Sequence, residues 1–360
     1  MNNLLNIIPN PDPLPVGPAW FFFLSYLTYF LHFLAVGIMF GASLFAVMGH
    51  IKGKQDEKWK MFGYRMSKTL PFAIAFAVNL GVAPLLFLQV LYGNFFYSAS
   101  IIIGIPWLLL ILFLIAAYYS AYAIVFKKEN GLKKKSLLSI IITAVLAWIA
   151  FMLVNVNTLM MVPARWKVYF SGMSGMNLNL SEATLYPRFL LYIFLFITIG
   201  GLFTALFYKI KNKTEEAGLG FHFGSTAAGY FGILSIPIFI YFLLLLPKEI
   251  KSVFVGGSIV WLILTILFVL SLLFSAFLCF KRKIITAASI LTAGLIIFVL
   301  IRNHIRHLYL EPFAEKFSSL SGNTQYGVML LFFIILAAGL ALIAWLLIKT
   351  HKHFKTETES

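Results

Sequence analysis

A single histidine lies well inside a long apolar stretch and is the residue of this sequence best suited to hold a metal. His32 is followed at helical spacing by Ala35, Met39 and Ser43, which would leave a slot beside the imidazole for a flat macrocycle. A neutral imidazole ligates iron, and ionisable groups in hydrocarbon are costly and usually functional. The alternative is a histidine hydrogen-bonded to an amide of a neighbouring helix. The residues alone leave both interpretations open.

Two further histidines follow another apolar stretch and are the next metal-ligand candidates. His304 and His307 are three residues apart, so they lie on nearby faces if the preceding helix continues past Ile301. Histidines at a membrane interface are also commonly solvated, and this alternative stays open. Either residue is therefore only a candidate for a second ligand.

Amides interrupt two of the apolar stretches. Asn79 and Gln89 flank Pro84, and Asn157 precedes Pro163. Amides in lipid normally satisfy one another or a backbone group that a proline has freed. The functional alternative is that these side chains line a cofactor pocket.

Basic residues near the ends of several apolar stretches are candidates for binding the carboxylates of a cofactor, such as haem propionates. Arginine binds a carboxylate with two parallel hydrogen bonds. The other interpretation is that these side chains extend from the bilayer into the headgroup layer. The candidates are Arg165, Lys167, Arg188, Arg302 and Arg306.

Several kinds of chemistry are excluded. All twelve acidic residues lie outside the centres of the apolar stretches, so a carboxylate-based ion pathway across a membrane is not expected. A single cysteine, Cys279, excludes an internal disulfide and a cysteine-ligated iron–sulfur cluster. The motif CxxCH, which attaches haem c covalently, is absent.

The elements that carry these residues are predicted to be membrane-spanning helices. The chain of 360 residues is 61% hydrophobic and 11% charged, with a mean hydropathy of +0.94. Its apolar runs have the length that a helix needs to cross about 30 Å of hydrocarbon, and no period typical of barrel strands appears. We expect an all-α protein with nine spans, at 19–48, 69–96, 99–125, 136–162, 187–208, 225–246, 253–279, 284–301 and 326–348.

The distribution of lysine and arginine predicts the orientation of the helices. Of the 28 basic residues, 20 fall on the side of the 50–68 loop and the C-terminus. The positive-inside rule places that side in the cytoplasm, so the N-terminus is outside and the C-terminus inside. We expect an external lead-in at 1–18, one transmembrane domain at 19–349 and a cytoplasmic tail at 350–360. The net charge of +16 is thereby explained without nucleic acid.

The first half of the chain resembles subunit I of cytochrome bd quinol oxidases. The resemblance begins at Tyr29-Phe-Leu-His32-Phe-Leu-Ala-Val-Gly37-Ile-Met-Phe-Gly41 and continues through Phe76-Ala-Val-Asn79-Leu-Gly81 to Asn157, Met160 and Pro163. It covers about residues 20 to 200. It implies a nine-helix bundle with an external N-terminus, a prokaryotic inner-membrane location, and His32 as a haem ligand.

This sequence departs from the family at most of the other functional positions. Gln89 stands where the family has a glutamate near its haems, and Leu191 where it has a haem-ligating histidine. The seventh helix has no methionine, the long quinol-binding loop is missing, and the segment from Arg302 to His307 lacks the family's glutamate ligand. An iron needs an axial ligand. The chain alone is therefore not expected to be a complete quinol oxidase.

Three functions follow from these observations. The leading hypothesis is an electron-transfer subunit that holds one or two b-type haems, with His32 as axial ligand and His304 or His307 as another. A c-type cytochrome, another membrane respiratory subunit or quinol is a partner implied by the resemblance, and membrane lipid surrounds the chain. The second hypothesis is a cofactor-free scaffold or assembly subunit, and the third is a small-molecule transporter.

Overall fold

The computed structural model describes residues 5–126, 131–210, 215–317 and 324–359. Within these ranges the protein is helical and has no β-strand. Nine of the helices described are long and apolar enough to cross a membrane. The predicted class, an all-α bundle with nine spans, is confirmed.

We number the nine long helices in chain order. They are α1 (Pro18–Lys52), α2 (Glu57–Ile102), α3 (Gly104–Phe126), α4 (Leu132–Met161), α5 (Leu185–Ile210), α6 (Glu215–Leu244), α7 (Ile259–Phe280), α8 (Ile284–Leu310) and α9 (Tyr326–Glu359). Each corresponds to one predicted span. Parts of the basic loops counted for the orientation, 127–130 and 211–214, lie outside the described residues, as do 1–4 of the lead-in and residue 360 of the tail.

Two helices extend well beyond the apolar runs that predicted them. α2 begins at Glu57, a full twelve residues before the predicted start, because the Asp56 side chain caps the helix by accepting a hydrogen bond of 2.8 Å from the Lys58 amide. α8 continues to Leu310, which carries it through His304 and His307. Hydropathy marks only the part of a helix that lies in lipid, so polar ends such as these are missed.

The centre of the bundle is α1, which packs against α2, α4, α5 and α8. The face of α1 that carries Gly37 and Gly41 contacts α5, where a side-chain carbon at Gly41 would overlap the backbone of Gly200. A carbon at Gly37 would likewise overlap Ile199. Glycine therefore allows the two helices to approach more closely than any other residue would.

A second, smaller apolar cluster closes the predicted external end of the bundle. Residues of the N-terminal lead-in, of α2 and of the segment after α4 contribute to it, including Ile8, Phe95 and Trp166. The Asn94 side chain links the N-terminal segment to the segment after α8, because it donates hydrogen bonds to the carbonyls of Pro9 (3.1 Å) and Lys316 (2.8 Å). This cap separates the helix interior below it from the external solution.

The last helix stands apart from the bundle. No residue in the apolar window of α9 is buried among the described residues. Its aromatic contact with the bundle is between Phe333 and Trp20 of α1, with ring centroids 5.3 Å apart. The site described next is therefore built by α1, α2, α4, α5 and α8 without α9.

Candidate functional site

His32 is held between α1 and α2 by one hydrogen bond to the backbone. Its Nδ1 lies 2.9 Å from the carbonyl oxygen of Ala77, and the side chain is half-buried. A carbonyl only accepts, so Nδ1 carries the proton and the lone pair of the neutral ring is on Nε2. The neighbouring amides considered from the sequence are not its partners.

The ring of His32 packs directly against a glycine. A side-chain carbon at Gly81 would lie 2.7 Å from Cε1 and 3.0 Å from Nδ1 of the imidazole. Gly81, one helical turn after Ala77, thus leaves the space that the ring fills. The backbone of α2 therefore fixes both the tautomer and the orientation of His32.

Three arginines, two of them buried and one half-buried, lie in the half of the bundle towards the predicted external side. Arg188 at the start of α5 and Arg306 on α8 are 4% and 5% exposed, and Arg302 lies one turn before Arg306 on the same helix. We call these residues the arginine cluster. Their guanidinium groups contact other side chains of the protein.

One amide joins two members of the arginine cluster. The Oδ1 of Asn157 accepts hydrogen bonds from Arg302 (3.2 Å) and from Arg306 (3.1 Å). Arg302 also donates to the Tyr192 hydroxyl at 3.2 Å and lies over the Tyr29 ring at 4.0 Å. Two like charges thus share a single neutral acceptor in a buried site, where their repulsion is weakly screened.

The third member of the cluster is under-satisfied. The guanidinium of Arg188 packs over the Phe242 ring at 4.9 Å, while its Nε and one terminal nitrogen are buried without a hydrogen-bond partner. An unpaired buried polar atom costs about 1–3 kcal/mol, and more when it is charged. A neighbouring cavity of about 10 Å³, lined by Arg188, Arg302 and Tyr192, is no larger than one water.

No carboxylate forms an ion pair with the arginine cluster among the residues that the structure describes, although Glu182 is close enough to Arg188 to favour its charge. The ion pairs found there involve other residues. The nearby acid Glu182 lies 3.6 Å from Arg165, which also donates to Ser181. Arg165 is therefore part of a partly exposed ion pair, and Lys167 is exposed. Neither belongs to the arginine cluster, which is suited to bind an anion.

His32 and the arginine cluster lie one helical turn apart on the same side of α1. Tyr29, which is stacked by Arg302, precedes His32 by three residues. Phe33 packs between them and the rest of the core, with ring centroids 5.5 Å from Tyr192 and 5.6 Å from Phe298. The structure thus brings together His32, whose Nε2 has no hydrogen-bond partner, and three arginines that make no direct ion pair within the described residues.

The other two candidate histidines face elsewhere. His304 is stacked on Trp261 of α7, with ring centroids 3.8 Å apart and planes at 7°. Since two residues turn a helix by about 200°, His304 lies opposite Arg302 on α8. His307 is exposed, 6.3 Å from His304 between ring centroids. The structure does not bring these residues to His32.

The remaining predicted site residues differ in their surroundings. Met39 is buried two turns along α1 from His32. Asn79 is exposed on the outside of α2 and Gln89 is half-buried. The side-chain amide nitrogen of Asn157 donates a hydrogen bond of 3.0 Å to the Leu153 carbonyl.

Sequence reasoning missed Tyr29 and Tyr192 and the burial of the arginine cluster. The arginines follow apolar runs, so each was assigned to a helix end. The signal that would have found them is the four-residue spacing of Arg302 and Arg306, which puts both on one face of a continuing helix.

Comparisons with known proteins bear on the fold. No protein-family model and no curated protein matches the sequence. Among solved structures, a chain of "The structure of bd oxidase from Geobacillus thermodenitrificans" is similar, with a TM-score of 0.66 and 14% sequence identity over 91% of this chain and 97% of that chain. At this identity the likeness is one of fold. The bundle described here is thus similar in fold to a chain of a bd oxidase, as the resemblance of residues 20–200 predicted.

Proposed function

We propose that this protein is an electron-transfer subunit of a respiratory complex in a prokaryotic cytoplasmic membrane and that it holds one b-type haem. The similarity in fold to a bd oxidase chain supports the proposal that the protein is a subunit of a membrane respiratory complex. The observation that carries the proposal is that His32 lies near the arginine cluster, which makes no direct ion pair within the described residues. A haem requires both, because its iron binds an axial nitrogen ligand and its propionates bind cations.

The hydrogen bond of His32 fits the role of ligand. Metal-ligating histidines usually donate their second ring nitrogen to a carbonyl or carboxylate, which fixes the tautomer and makes the ligating nitrogen more basic. The Ala77 carbonyl accepts from Nδ1 in this way and leaves Nε2 for iron. In this proposal His32 is the axial ligand that the chain supplies.

The arginine cluster fits the role of a carboxylate clamp. Removing a charge from water costs several kcal/mol unless a partner compensates it. Arg302 and Arg306 have only neutral acceptors, and two Arg188 nitrogens have none. Carboxylates bound there would satisfy these donors with charge-assisted bonds, which are about twice as strong as neutral ones. The cavity beside the cluster holds about one water, so binding would require the side chains there to move apart.

The chemistry supplied by bound haem would be the transfer of one electron, while the protein supplies ligand, charge and a dry environment. The external cap and the aromatic rings around Phe33 exclude water from the site. We propose another membrane subunit of the same complex as the redox partner. The missing ligands argue against oxygen reduction with quinol by this chain alone.

The test is the absorption spectrum of the protein, made in haem-replete cells and purified mildly with any partners attached. We expect a Soret band in the wild type that His32→Ala removes while the helical circular dichroism is kept. His50→Ala is the matched control: His50 is also buried, bonds Ser67 at 2.8 Å, and lies at the other end of α1. Its spectrum should equal the wild type's.

Two outcomes contradict the proposal. A wild-type protein without a Soret band would make the cofactor-free scaffold the better hypothesis. A Soret band that survives in His32→Ala would show that another residue ligates the haem.

A further inference from the structure

A large groove runs over the outside of the bundle from the predicted cytoplasmic end of α2 to the neighbourhood of His32. It has a volume of about 1160 Å³ and lies over the contact between α1 and α2, with α3 and α5 as its walls. Exposed side chains such as Phe72 and Phe76 line it, so it is open to the outside of the helices, where the bilayer would lie. His32 and the arginine cluster are not among its lining residues.

The groove is apolar along its length and basic at one end. Arg65 and Lys68 line the end towards the predicted cytoplasmic side, beside Tyr64. Lys135 of α4 approaches the same tyrosine, with its Nζ 5.8 Å from the ring centroid. The lining residues include no aspartate or glutamate. A ligand that complements this surface carries an anion at one end and a hydrocarbon chain at the other.

The part of the groove beyond its basic end is about as long as one leaflet of a membrane. From Lys68 to Leu80, the last residue of α2 that lines the groove, the chain advances twelve residues, or about 18 Å along a helix. Half of the hydrocarbon core of a bilayer is about 15 Å. A lipid of the cytoplasmic leaflet could thus place its headgroup at Lys68 and lay a chain along the groove.

We propose that this groove is a binding site for one anionic phospholipid of the cytoplasmic leaflet. The phosphate is held at Arg65 and Lys68, and an acyl chain fills the channel between Ala35 of α1 and Phe76 of α2. Charge selects an anionic lipid over a zwitterionic one, because basic residues near the membrane surface attract anionic headgroups. The inference is independent of the haem proposal.

The headgroup contact is tested with delipidated protein in detergent, to which phosphatidylglycerol or phosphatidylcholine is added, and bound lipid is counted by native mass spectrometry. We expect one phosphatidylglycerol to be retained in preference to phosphatidylcholine. R65Q/K68Q should weaken phosphatidylglycerol binding by about 10- to 30-fold. K133Q/K134Q removes two exposed charges from the same side of the protein outside the groove and should change it less than twofold.

The contact with the acyl chain is tested with separate variants, so that the proposal can still be tested if R65Q/K68Q fails to fold. Leu31→Trp fills the inner end of the groove, whereas Leu27→Trp is one turn away on α1 and outside it. Both leucines are exposed, at 40% and 43%. We expect only Leu31→Trp to lower phosphatidylglycerol binding. Equal binding of the two lipids, unchanged binding in R65Q/K68Q, or unchanged binding in Leu31→Trp would each overturn the proposal.

Discussion

At the scale of residues, the side-chain oxygen of Asn157 accepts hydrogen bonds from two arginines, Arg302 and Arg306. Asn157→Asp would place a carboxylate of nearly the same shape between them. We expect the melting temperature of haem-free protein in detergent to rise, since an ion pair then replaces repulsion between like charges. If the cluster binds propionates, the same variant should retain less haem, because the added carboxylate competes for the clamp.

Asn155→Asp provides the control for this prediction. Asn155 is fully buried two residues earlier on α4, and its Oδ1 accepts from the Asn179 amide at 2.9 Å with no arginine bonded to it. A carboxylate there lacks a cation and should lower the melting temperature. A similar change in both variants would contradict the charge argument.

The sequence predicted His32 and all three arginines as candidates, yet it could not predict their arrangement. The Ala77 carbonyl that fixes His32 is a backbone atom, and backbone partners carry no residue-type signal. The contact of Asn157 with Arg302 and Arg306 joins α4 to α8 across 145 residues. Such contacts depend on which helices are neighbours, which hydropathy does not reveal.

At the scale of elements, the contact between α1 and α5 depends on Gly41. Gly41→Ala would push a methyl group into the backbone of Gly200, so the helices must separate. Overpacking of this kind costs about 1–3 kcal/mol. We expect a lower melting temperature in detergent, and a smaller haem yield if His32 on the same helix binds haem.

Gly218→Ala on α6 is the matched control, because a side-chain carbon there meets nothing within 4 Å. Alanine favours the helix over glycine by about 1 kcal/mol, so this variant should be as stable as the wild type or more so. Equal destabilisation by both substitutions would show that the loss is not due to the contact. Glycines four residues apart, such as Gly37 and Gly41, favour a close helix contact, but the spacing does not indicate which helix is the partner.

At the scale of the whole molecule, the orientation of the chain remains a prediction and is open to chemical labelling. Lys58 and Lys248 are both exposed and lie on opposite predicted sides. The native Cys279 is buried, so it should give little background. With an impermeant thiol reagent added to intact cells, we expect Lys248→Cys to react and Lys58→Cys to react only after the cells are opened. The reverse pattern would mean that the N-terminus is inside.

The number of helices and the all-α class were predictable because each span needs its own apolar run. The order of packing was not, since the runs are apolar on most sides and no single stripe marks the buried face. α9 illustrates the difficulty: it is as apolar as the helices of the core and yet has no buried residue in its span. Hydrophobicity determines that a helix lies in the lipid. Which helices pack against one another is determined by the shape of their surfaces and by polar contacts.

The burial of the arginine cluster also has an electrical consequence. In the predicted orientation, Arg302 and Arg306 enter on the cytoplasmic side and must be carried outwards through most of the bilayer when α8 is inserted. A membrane potential of 100 mV, negative inside, opposes this transfer by about 2.3 kcal/mol for each charge that crosses it completely. The energised state of the membrane therefore opposes insertion of α8 more than that of a helix that carries no charge across.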